Sequence, residues 1–102
     1  MAVFPSPQRL RKMIDQAMRD RAPKFRLQLV NQGRLQQEIS DRTEMFHETL
    51  EEIWSQGMME LDKKDLAPLK MIGAVNELGS QSVEQALAVV LEFPTTEPRL
   101  EA

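Results

Sequence analysis

A seven-residue beat runs through the middle of the chain, and few folds can carry it. Phe25, Gln32, Ile39, Phe46 and Ile53 recur at that interval, and Leu29, Gln36, Thr43, Leu50 and Gly57 form a second row four positions on. Rows offset by four and repeating by seven lie side by side on one face of an α-helix; a strand, whose faces alternate at every residue, cannot hold them together. Phe25, Leu27 and Leu29 do alternate as in a strand, and Asn31-Gln32-Gly33 has the composition of a turn. A turn at Gly33, however, would have no reason to preserve the phase. The rows therefore predict one long helix over residues 24 to 56, weakest at Gly33 and stopped by Gly57. At about 1.5 Å per residue it would span about 50 Å.

Shorter helices flank it. Ser6-Pro7 pairs a good N-cap with a proline at the first helical position, and Leu10, Met13, Ile14, Ala17 and Met18 follow at helical spacing until Pro23. After a connector from Met58 to Asp65, Pro68 opens a third helix whose apolar side carries Leu66, Leu69, Ile72, Val75 and Leu78, with Gly79 as its end. Ser82 and Gln85 have capping-box spacing, so a fourth helix is predicted with Val83, Ala86, Leu87, Val90 and Leu91 on its apolar side and Pro94 as its close. The fold class is all-α: a small helical bundle with one long central helix and a C-terminal helical hairpin. Residues 1–93 form a single helical domain, and the charged tail 94–102 has little to bury and is expected to be disordered.

The stretch NELGSQSVEQAL, residues 76 to 87, resembles the middle of a DNA-reading helix-turn-helix. A recognition helix needs cationic or amide donors for phosphates and base edges. Residues 80 to 93 contain no Lys or Arg and include Glu84 and Glu92, so the expected role of this pair is to close the core or cap a dimer. Basic charge lies elsewhere, in Arg9, Arg11, Lys12, Arg19, Arg21, Lys24, Arg26 and Arg34, opposed locally only by Asp15 and Asp20. From Glu38 to Asp62 the balance inverts, with eight carboxylates against the single Arg42. A first helix folded back at Pro23 would set Arg9, Arg11 and Lys12 near Glu38, Asp41 or Glu44. Self-neutralisation is then favoured over nucleic-acid contact, in keeping with an overall charge of −3.

Catalytic and metal chemistry find little to work with. Without cysteine there is no thiolate nucleophile and no sulfur-based zinc site. Glu44 and His47 share a helical face with Glu-x-x-His spacing, as in half of a di-iron site, but a single copy on an acidic face reads as a solvated surface. No nucleophile elbow or glycine-rich phosphate loop occurs. A non-enzymatic protein without cofactor or metal is expected. The longest apolar run, Ala86 to Leu91, is far short of a membrane span, and the start lacks a signal-peptide pattern, so a soluble cytoplasmic protein is expected.

These features predict a helical protein–protein interaction module, an adaptor, regulator or assembly subunit acting as a homo-oligomer. The alternative is a nucleic-acid-associated regulator using the basic segment 9–34. The long helix carries Lys24, Arg26 and Arg34 near its start and Glu48, Glu51 and Glu52 near its end, against its dipole. Two copies packed antiparallel would bring each basic start onto the other's acidic end. The expected seam is Phe25, Leu29, Gln32, Ile39, Phe46, Leu50 and Ile53, with Gln32 marking register. The competing arrangement is a monomer whose first helix fills the same seam. A further, unidentified protein partner is expected in either case.

Overall fold

The computed structural model describes residues 4–94 and contains four helices in order: α1 (Pro7–Arg21), α2 (Pro23–Asn31), α3 (Leu35–Lys64) and α4 (Pro68–Val90). Apart from Pro94, the predicted disordered tail lies outside the described residues. Among the described residues there is no strand, and no helix is long and apolar enough to cross a membrane. The molecule is thin, with extents of 55 × 34 × 18 Å, the last just under two helix diameters.

Three of the four helices start where local chemistry puts them. Ser6 is extended and its hydroxyl accepts from the Arg9 amide at 3.2 Å, while prolines stand in the first turns of α1, α2 and α4. The predicted long helix over 24 to 56 does not form as one piece. Gly33 takes φ +68°, its amide donates to the Val30 carbonyl at 3.0 Å, and the Arg34 amide donates to Leu29 at 2.8 Å. That bond pair is a Schellman motif, which ends α2 and satisfies carbonyls that an unbroken helix would have used for its next turn. Members of the two rows still meet across the break, Leu29 from α2 and Ile39, Phe46 and Leu50 from α3, because the two helices face the same core.

Gly57 does not stop α3, which continues through Met58–Lys64, a run of good helix formers, to a left-handed cap at Asp65 with φ 51°. The connector shrinks to Asp65–Ala67. Gly57 instead leaves room for Leu78: a Cβ there would lie 2.7 Å from Leu78 Cδ2. Likewise Gly79 does not end a helix and Ser82 does not cap one, since α4 runs straight through both. The Ser82 side chain is buried, and its hydroxyl donates to the Leu78 carbonyl at 2.6 Å, satisfying itself within the helix. The C-terminal helical hairpin is thus the α3–α4 pair, and the helix-turn-helix of the sequence is continuous helix.

One core joins α1, α2, the first half of α3 and the second half of α4: Leu10, Ile14, Met18, Leu29, Ile39, Phe46, Leu50, Ala86 and Val90. Burying large side chains such as Phe46, Leu10 and Ile14 contributes about 1.5–3 kcal/mol each. The α1 helix runs along α3 in the opposite sense, so that Phe4, just before it, meets Trp54 edge-on at 6.2 Å while Arg11 reaches Gln36 and Ser40, both at 2.9 Å. Beyond Trp54 the α3–α4 hairpin extends without cover from α1 or α2, and no residue from Glu51 to Leu78 is buried. This extension is an arm of two helices.

Candidate functional site

The predicted seam is occupied from within. Phe46 is fully enclosed and Ile39 is 3% exposed, with Leu29 and Leu50 also buried, and the side chains of α1 and α4 share their cluster. Phe25 packs on the edge of this core, Ile53 is half-buried, and Gln32, intended as a register marker, is exposed in the turn after α2. The seam is therefore the core of one chain, filled by its own first helix and joined by α4. A second copy cannot use it as an interface without unpacking the fold.

The basic segment divides. Arg26 donates to Asp15 at 2.8 Å and Arg19 reaches the other Asp15 oxygen at 3.2 Å. Burial pushes the Asp15 carboxyl up, but the hydrogen bonds and charges of Arg26 and Arg19 outweigh it and leave the group below its ordinary value. Arg11 meets neutral Gln36 and Ser40 rather than the predicted Glu38, Asp41 or Glu44. Arg9, Lys12, Arg19, Arg21, Lys24 and Arg34 are exposed, spread along α1, α2 and the turn. Glu44 and His47 are also exposed, and among the described residues no group of three or more His, Asp or Glu gathers to hold a metal.

Sequence reasoning missed Arg42. Its Nε donates to Glu38 at 2.8 Å, and its Nη1 donates to the carbonyls of Val90 at 2.8 Å and Glu92 at 2.9 Å. Its guanidinium carbon lies 4.5 Å from the Phe93 ring centre and 5.9 Å from that of Phe25. A cation on the open carbonyls of a helix end is favourable both as a hydrogen-bond donor and against the dipole. The available signal was a lone arginine in an acidic run, which fixes the residue as unusual but not its target.

Among the described residues, the most exposed large apolar side chains lie on the arm, with Leu27 of α2 next at 58%. Leu69 is 84% exposed, Met59 62% and Ile72 59%. Leu69 and Ile72 were expected on the buried side of their helix. They are open because Val75 and Leu78 take the inner face, while α1 starts at Pro7, beside the bundle, and does not reach the outer one. Higher on α4, Val83 and Leu87 share a groove with Arg9 and Met13 of α1 and with Pro5 before it. Leu69, Ile72, Asn76, Val83 and Leu87 follow helical spacing on one side of α4, so α1 occupies the upper part of a stripe whose lower part is bare. Gly73 opens this lower part further, with nothing within 4 Å of where its Cβ would stand. Large exposed apolar side chains grouped on a helix face, rather than scattered singly, mark docking surfaces. No family model, curated protein or solved structure matches the chain.

Proposed function

We propose that this protein is a non-enzymatic helical interaction module, an adaptor, regulator or assembly subunit, whose bundle holds out the α3–α4 arm for another protein helix to dock on. The observation that carries the reading is the exposure of Leu69, Ile72 and Met59 on a two-helix arm with no buried residue of its own. Two helices alone cannot enclose an apolar face, and an amphipathic helix laid along them would bury it as α1 does higher up. The arm offers apolar contact edged by Lys70 and Glu77, which suits docking better than a reaction. Nucleic-acid contact through residues 9–34 is the weaker reading, because Arg11, Arg19 and Arg26 already hold partners inside the bundle.

The test is a photo-crosslinking side chain placed at Ile72 on the arm or at the exposed Glu84 on the bundle, in the cells that make the protein. Ile72 is expected to yield discrete crosslinked protein bands and Glu84 none. Absence of bands from Ile72, or equal crosslinking from both positions, would overturn the proposal.

A further inference from the structure

We infer that the arm docks a second copy of this chain, α4 against α4 in antiparallel sense, with the crossing near Gly73. The inference rests on the reading of the arm as a docking surface and adds the identity and direction of the partner. Its basis is the charge pattern beside the apolar stripe. Leu69, Gly73, Asn76 and Ser80 follow one another at intervals of four, three and four along the outward side of α4, and all but the half-buried Asn76 are exposed. Lys70 and Glu77 are both exposed and stand seven residues apart, so they occupy the same angular position on one edge of that line.

Opposite charges at equivalent positions make the edge self-complementary in one sense only. When two such helices pack antiparallel, an edge faces the same edge of its neighbour in reversed order, and Lys70 of each copy comes to Glu77 of the other. The two-fold axis then passes midway between them, beside Gly73, where the missing side chain permits close approach. In a parallel pair this edge would face the opposite edge, which carries Ile72, and both charges would lack a complement. Within the chain, Gln81 donates to Glu77 Oε1 at 3.2 Å, which leaves Oε2 for the neighbour's lysine. The contact is isologous and closes at two copies.

Three measurements on the full chain test this. Light scattering at tens of micromolar should give a dimer. Mixing Lys70→Cys copies with Glu77→Cys copies should give heterodimers with a short thiol crosslinker, whereas crosslinking of Lys70→Cys copies to Ile72→Cys copies in its place would mean a parallel pair and overturn the inference. Lys70→Glu and Glu77→Lys, both at exposed positions and with folding checked by circular dichroism, should each weaken the dimer about tenfold, and the double exchange should restore it. A dimer indifferent to these charges and to Leu69→Asp uses another surface, and the inference fails. A monomeric mass together with Ile72 crosslinks to other proteins in cells would remove the second copy while leaving the docking arm in place. A monomeric mass without such crosslinks would remove both.

Discussion

Arg42 is a cation enclosed by the chain that carries it. Its guanidinium joins the Glu38 side chain on its own helix to the carbonyls that end α4 and to two aromatic rings, so it ties α3, α2 and the segment after α4 at one point. Its side chain is only 11% exposed, so water screens these contacts weakly. Arg42→Ala is therefore expected to cost about 2–3 kcal/mol, because Glu38 and two carbonyls lose their donor together. Arg42→Lys should recover only part of this, since one ammonium lacks the planar fork that serves carboxylate and carbonyls at once. Urea denaturation decides it; a loss below about 0.5 kcal/mol would class the residue with ordinary surface pairs.

At the scale of elements, what could be read in advance was local. Ser6 and the prolines at 7 and 68 mark helix starts through backbone chemistry that operates over a few residues, and both starts stand as predicted. The glycines were misread because their role depends on what lies opposite. Gly33 lies in a turn region with backbone bonds that close a helix, Gly57 is the gap into which Leu78 fits, and Gly79 is buried within α4. The α2 and α3 members of the core, Leu29, Ile39, Phe46 and Leu50, were legible in the seven-residue rows, but not which chain segments would cover them. The exposed site was not legible at all. Leu69 and Ile72 have core spacing, and they are bare because α1 starts short of them. Gly57→Ala makes the point measurable. Helix propensity alone would favour it by about 1 kcal/mol, yet the added Cβ meets Leu78, and a net loss of about 1–3 kcal/mol is expected. Gly73→Ala, with open space around it, should show the propensity gain at concentrations where the chain is monomeric. Thermal midpoints that rise equally for both would mean that the α3–α4 packing yields easily.

The whole molecule has two parts of unequal constraint: a bundle with one buried cluster, and an arm without any. Local opening follows the number of buried apolar contacts. In a Leu69→Asp chain, which lacks the residue proposed for docking, amides of residues 55–78 are expected to exchange with solvent well before those of residues 39–50 and 82–90. In the unaltered chain at high concentration the gap should narrow as the arm becomes covered. Uniform protection in the Leu69→Asp chain would show that the arm shares the stability of the bundle.

The cluster that unites Leu10 with Val90 also governs how the chain can be made. Synthesis runs from the N-terminus, so Leu10, Ile14, Phe46 and Leu50 all leave the exit tunnel before Ala86 and Val90 do. The nascent chain therefore carries its α1–α3 core side chains without their α4 cover until Val90 has cleared the tunnel, and a ribosome stalled before that point holds an open cluster that chaperones can grasp.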